Sequence, residues 1–386
     1  MERKNTNLYT YPSLLIIALL MTACSSLTEQ SENGPKALTK YSMTRSMTKN
    51  WQLDLGADTQ DYSVMLHPVL FSDQIIAIDG MGHVQALDVS NGSNLWTVEL
   101  NMKVSAGLGR HLNHLYLASH SGQLLALDSE TGQELWRVST GSEVLSVPQA
   151  NDKLVLVQSI DGRVSAYKSQ TGEFLWSFSA DLPSLTLRGT STPILTHDLS
   201  YAGFANGKLV ALDNKNGAIV WEQRISLPKG RSEIDRLVDI DGPLQLDDQL
   251  LFINSYQGPL AAVDIMNGEL VWQQPVSSRY APLPLDNQVV VLGQDDHVSA
   301  YDKSSGVLLW HNDNLAQRGL SGLQVSKDAI IVTDQFGYSH ILSWDTGQLL
   351  GRYHTKLGSS QISALKYGKQ LYLQNQASKL IKLTLD

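Results

Sequence analysis

Ten histidines could serve as bases or metal ligands, but they are scattered along the chain. No His-x-x-x-His pair and no Cys/His cluster supplies the close spacing of a transition-metal site. Serine, histidine and aspartate are abundant, yet no serine stands in a G-x-S-x-G turn that would expose a nucleophile. Gly107-Leu108-Gly109 matches only the start of a dinucleotide fingerprint and reads as a turn. The acidic pairs Asp247-Asp248 and Asp295-Asp296 could attract a cation, but they read more simply as solvated turn residues. Asp88, Asp128, Asp213, Asp264 and Asp302 recur at one point of a repeated pattern. A catalytic group is unique, whereas a part that recurs is structural. The expectation is a chain without catalytic residues, metal site or cofactor.

The repeated pattern is a hairpin. In "LLALDSETGQELWRV", residues 124–138, a short apolar run suits a covered strand, and Asp128 then bonds backbone N–H groups of a turn. Thr131-Gly132 supplies the positive φ that a tight loop needs. The return strand opens with Leu135 and Trp136. Strand neighbours point to opposite faces, so this pair predicts a sheet covered on both sides. Return-strand tryptophans stand at Trp51, Trp96, Trp136, Trp176, Trp221, Trp272 and Trp310, and the last six are separated by 40, 40, 45, 51 and 38 residues. A further copy keeps Thr346-Gly347 but has Gly351 in the tryptophan position, and "SKLIKLTLD" ends the chain as an outgoing strand without a return. Trp51 lies in a return strand without an outgoing one.

Two more strand-like pieces separate consecutive hairpins, such as "KLVLVQ" at 153–158 and the segment before it. Pro68, Pro148, Pro193 and Pro282 fall in these first segments and mark them as sheet edges. Four antiparallel strands at a period near 40 suit the blades of an all-β propeller. Eight return-strand positions predict eight blades over residues 47–386, with the last closed by the N-terminal strand around Trp51. Closure leaves no terminal repeat in need of a cap; a solenoid with free ends is the competing arrangement.

The formal charge is −9, which disfavours nucleic acid and polybasic lipid-surface roles. Residues 1–23 carry Arg3 and Lys4 before an apolar core from Leu14 to Met21, too short for a membrane span and suited to a cleavable signal peptide. Cys24, the only cysteine, follows Thr22 and Ala23. "LMTAC" resembles the lipobox of bacterial lipoproteins, which implies cleavage before Cys24 and its acylation. Two or more acyl chains would give stable anchoring. Ser25 after the cysteine resembles a passenger sorted to the outer membrane. Residues 24–46 are polar and read as a flexible tether.

The "ALDxxTGxxLW" hairpin is similar to the repeat of pyrroloquinoline-quinone dehydrogenases, which implies a small-molecule-binding periplasmic propeller as one alternative. Those enzymes are commonly longer, and many carry a pair of adjacent cysteines that this chain lacks. Lipobox, tether, eight repeats and length together resemble the BamB family, lipoprotein scaffolds of the outer-membrane β-barrel assembly machine. That resemblance implies a non-catalytic role at the periplasmic face of the outer membrane, with BamA as partner and nascent outer-membrane proteins as further candidates.

Two connections between blades are longer than the rest, residues 182–193 and 226–243. Both join the last strand of one blade to the first strand of the next. They therefore lie on one propeller face at neighbouring positions and should form one patch. The patch combines Leu185, Leu187 and Arg188 with Asp235, Arg236, Asp239 and Asp241. Apolar anchors beside arginine and carboxylates suit a protein interface. The family resemblance implies that these segments contact the periplasmic domains of BamA.

Overall fold

The computed structural model describes residues 34–56, 66–326, 328–358 and 362–386. The expected signal peptide, Cys24 and the first part of the expected tether lie outside them. Among the described residues the chain forms eight four-stranded antiparallel sheets, arranged in a ring as an eight-bladed β-propeller. Blades 1 to 7 comprise residues 69–99, 104–139, 149–179, 194–224, 245–274, 283–312 and 321–354. Blade 8 takes three strands from residues 362–385 and its outermost from Met47–Asp54. Met47 pairs with Leu385 and Asp54 with Lys379, so the two ends of the ring share one sheet. Pro68, Pro148, Pro193 and Pro282 each immediately precede a blade's first strand, which is a sheet edge in every case.

The tryptophan of one blade clamps the hairpin of the next. A Cβ on Gly132 would lie 2.6 Å from the Trp96 ring, and Gly132 also sits at φ +73°. Only glycine meets both demands. The same contact pairs Trp136 with Gly172, Trp176 with Gly217, Trp221 with Gly268, Trp272 with Gly306 and Trp310 with Gly347; Trp51 and Gly92 join blade 8 to blade 1. Where the indole also reaches a carbonyl, as Trp136 Nε1 donating to Ser169 O at 3.0 Å, the packing gains direction. The two middle strands of each blade are buried on both faces, as in Ile75–Ile78 and Leu124–Leu127.

Three expectations change. The return strand is covered on one face only: Trp136 is 9% exposed but Leu135 is 44% exposed. Radial sheets diverge toward the rim, so the outer strand meets a neighbour only through its tryptophan side. Gly107-Leu108-Gly109 is not a turn but lies inside the strand Val104–His111, where the pairing register shifts. A Cβ on Gly109 would fall 2.0 Å from the Pro148 carbonyl oxygen, so these glycines permit close backbone approach between blades. From Lys36 onward the expected tether is bonded to the propeller. Lys36 N donates to Ala316 O at 2.9 Å, and Thr44 N and Arg45 N donate to Leu350 O at 2.9 and 3.1 Å. Tether composition gave no sign of these partners, which lie far away in the chain.

Candidate functional site

The two long connections join blade 3 to blade 4 and blade 4 to blade 5. They are tied to each other. Leu187 N donates to Asp239 Oδ2 at 2.6 Å, Ser184 Oγ donates to Glu233 Oε2 at 2.9 Å, and Ser191 Oγ donates to Gly242 O at 3.3 Å. Gly189 approaches the Asp241 carboxyl so closely that a Cβ there would be 3.2 Å from its Cγ. Leu237, Val238 and Ile240 are buried and root the second connection in the core.

The seven residues singled out from the sequence therefore occupy different levels. Leu185 is exposed at the surface and Leu187 is partly covered. Arg188 gives Glu143 a two-pronged ion pair, with Nη1 to Oε2 at 3.1 Å and Nη2 to Oε1 at 2.9 Å. His120 Nδ1 also bonds Glu143, which links the blade 2–3 connection to the patch. Asp235 shapes its own exposed turn: it accepts from Ser232 N at 3.2 Å, while Asp235 N donates to Ser232 Oγ at 3.1 Å. Hydrogen bonding of the carboxylate by the Ser232 side chain, and then by its backbone N–H, holds the Asp235 carboxyl below the usual range. Arg236 lies beside it, with Nε donating to Gly230 O at 3.3 Å and a 3.6 Å contact to Glu233.

Asp239 lies beneath this surface, and Asp241 is partly covered at its edge. Asp239 is wholly buried, and its Oδ1 has no hydrogen-bond partner. Burial pushes its carboxyl up to about 6, against the stabilising bond from the Leu187 N–H. Burial, and then the Asp239 charge, push Asp241 up to about 7, opposed by Arg279. A solvent-facing role for Asp239 is thus corrected: its carboxylate joins the two connections from below, because the backbone of residue 187 is its nearest donor.

Sequence reasoning missed Glu143, Leu182, Leu227 and Ile234. Glu143 carries no motif; its only signal is membership of the same class of connection. The three apolar residues are exposed, with Ile234 at 63%. They fall within or beside the two inserted segments, yet apolar letters alone do not distinguish a surface anchor from a core residue. The acidic pairs are accounted for locally: Asp247 pairs with Lys303, and Asp296 accepts from Gly319 N at 2.6 Å and Leu320 N at 2.9 Å. Among the described residues, no group of three or more His, Cys, Asp or Glu side chains is placed to hold a metal ion. The geometry is that of a braced surface with apolar projections, suited to binding another macromolecule.

A family model described as outer membrane protein assembly factor BamB matches residues 80–294 and 246–371. The outer membrane protein assembly factor BamB of Pseudomonas aeruginosa is 43% identical over 377 residues, covering 98% of this chain and 99% of that relative. The crystal structure of BamB from Moraxella catarrhalis superposes with a TM-score of 0.79 at 28% identity, over 88% of this chain and all of that one. The quinohemoprotein alcohol dehydrogenase of Comamonas testosteroni gives a TM-score of 0.69 at 13% identity, covering 88% of this chain and 76% of that one, a likeness of fold alone. By the family match and by near full-length similarity, the chain belongs to the BamB family.

Proposed function

We propose that this chain is a non-catalytic scaffold in outer-membrane protein assembly, anchored through acylated Cys24 at the periplasmic face of the outer membrane. Residues 182–193 and 226–243 bind the periplasmic domains of BamA. The observation that carries this reading is the bond from Leu187 N to Asp239 Oδ2, which braces two inserted connections into one surface. Leu185 and Ile234 are exposed on these two connections, one of which also carries exposed Arg188. Pre-bracing lowers the ordering entropy lost on binding. Central apolar and arginine contacts then supply most of the affinity.

The reading is tested by a pull-down with BamA periplasmic domains and a thermal melt for each variant. Leu185→Ala, Ile234→Ala and Arg188→Ala should each weaken binding by about ten- to a hundredfold, the range of a 1–3 kcal/mol contact. Melting should stay near that of the unaltered protein, because none of the three side chains is buried. Normal binding by all three variants would move the interface elsewhere.

A further inference from the structure

The seam between blades 7 and 8 breaks the rule that holds around the rest of the ring. Blade 8 takes its outer strand from the N-terminus, so it has no Thr-Gly hairpin for a tryptophan of blade 7 to clamp. Gly351 stands in that position, and a Cβ there would lie 2.2 Å from the Arg45 carbonyl oxygen. The space belongs to the N-terminal segment.

Residues 36–45 fill it by specific contacts at both ends. At one end Lys36 N bonds Ala316 O, Lys36 Nζ donates to Asp313 Oδ2 at 2.9 Å, and Arg318 Nη1 donates to Lys36 O at 2.9 Å. At the other end Thr44 and Arg45 bond Leu350, and Arg45 pairs with Asp328. Between them the Tyr41 ring lies 5.1 Å from the Arg352 guanidinium.

The two arginines belong to one buried polar chain. Arg318 Nε donates to Asp334 Oδ2 at 2.8 Å, His340 Nε2 lies 2.9 Å from the same oxygen, and Arg352 Nε donates to His340 Nδ1 at 3.1 Å. Nδ1 accepts, so the imidazole proton sits on Nε2 and the ring is neutral. The chain then holds two guanidinium charges against one carboxylate. The Lys36 carbonyl and the Tyr41 ring face supply the electron-rich groups that the excess cation calls for.

We propose that residues 36–45 are a docked strap, seated in a groove built by Arg318, Gly351 and Arg352, which fixes where the anchored end of the chain leaves the propeller. Lys36 meets the blade 6–7 connection, so the strap leaves on the face that also carries residues 182–193 and 226–243. From Cys24 to Lys36 an extended chain spans at most about 40 Å; an undocked chain from Cys24 to Met47 spans up to about 80 Å. Docking halves the leash and turns the patch-bearing face toward the bilayer. This last consequence rests on the anchoring proposed above, whereas the docking does not.

Hydrogen exchange on the full mature chain reads the docking directly. Amides of Lys36, Thr44 and Arg45 should exchange at least about a hundredfold more slowly than in an unstructured chain. Gly351→Trp should abolish that protection while leaving the amides of residues 48–54 protected. Should Gly351→Trp fail to fold, Tyr41→Ala provides the second reading, with protection at residue 36 reduced. Exchange at the unstructured rate in the unaltered protein, or protection unchanged in a folded Gly351→Trp variant, would overturn the strap. In vesicles carrying the lipidated protein, a dye at Lys229→Cys should be quenched by headgroup quenchers more than one at Lys215→Cys, on the opposite face. Equal quenching with the strap protected would overturn the orientation and leave the docking standing, and loss of lipidation would be seen separately by mass.

Discussion

Asp302, in the hairpin turn of blade 6, accepts hydrogen bonds from the hydroxyls and backbone N–H groups of Ser304 and Ser305, which hold its carboxyl down at about 2. Asp239, in the connection between blades 4 and 5, is buried with one oxygen bonded and one bare, and its carboxyl is pushed up to about 6. The turn welcomes a charge and recurs around the ring. The patch buries a charge it stabilises poorly, and does so where two inserted segments meet. The repeating hairpins are thus arranged for stability alone, while the inserted patch gives up stability to hold a surface in shape.

Removing the ring's closure should have the largest effect on that contrast. Deleting residues 47–54 takes away the outer strand of blade 8 and the Trp51–Gly92 clamp, and uncovers the edge of Lys379–Leu385. Loss of the tryptophan packing alone is worth about 3–5 kcal/mol. Chemical denaturation should show at least this drop, with binding to BamA surviving in the folded fraction.

Asp239→Asn sharpens the comparison at the patch. The folded state holds the Asp239 proton more tightly than the unfolded chain does. Its contribution to stability is therefore most favourable below the ordinary carboxylate range and declines as pH rises through about 6. Asparagine keeps an acceptor for the Leu187 N–H and removes the titration. At pH above 7 the variant should be more stable by about 1–3 kcal/mol, and the slope of stability over roughly pH 4 to 7 should flatten. Denaturant melts across and above that range check both. For Asp302, whose pKa is depressed, the sign reverses, with stability lost as pH falls toward about 2. Affinity for BamA unchanged by Asp239→Asn would mark the residue as a brace; a loss matching that of Arg188→Ala would mark it as a contact.

The smallest effect should come from one turn among many. Asp128 accepts from Glu130 N at 3.0 Å, Thr131 N at 2.9 Å and Thr131 Oγ1 at 2.8 Å. Asp128→Ala should lower stability by about 1 kcal/mol, the net value of exposed hydrogen bonds, and leave binding intact. A loss of binding without loss of fold would blur the distinction between the two regions.

The repeat was legible because its determinants are local. A turn carboxylate, a glycine at positive φ and a tryptophan a few residues on specify one hairpin, and their recurrence with Trp51 left over specifies a closed ring of eight blades. The two inserted segments were legible as departures in length, and their adjacency followed from propeller connectivity. Other features depend on residues far apart in the chain, and only the tertiary structure decided them. Asp239 became a buried brace because Leu187 N, 52 positions away, meets it. Arg188 is oriented by Glu143, 45 positions away. Leu135 faces water although its letter is apolar, because blades splay apart at the rim. Gly351 reads as a degenerate copy in the sequence; in the folded ring it is the opening through which the chain's own beginning passes. A sequence records which side chains are available, but burial and partner choice are properties of the closed ring, and these set whether a carboxylate is a turn, a brace or a contact.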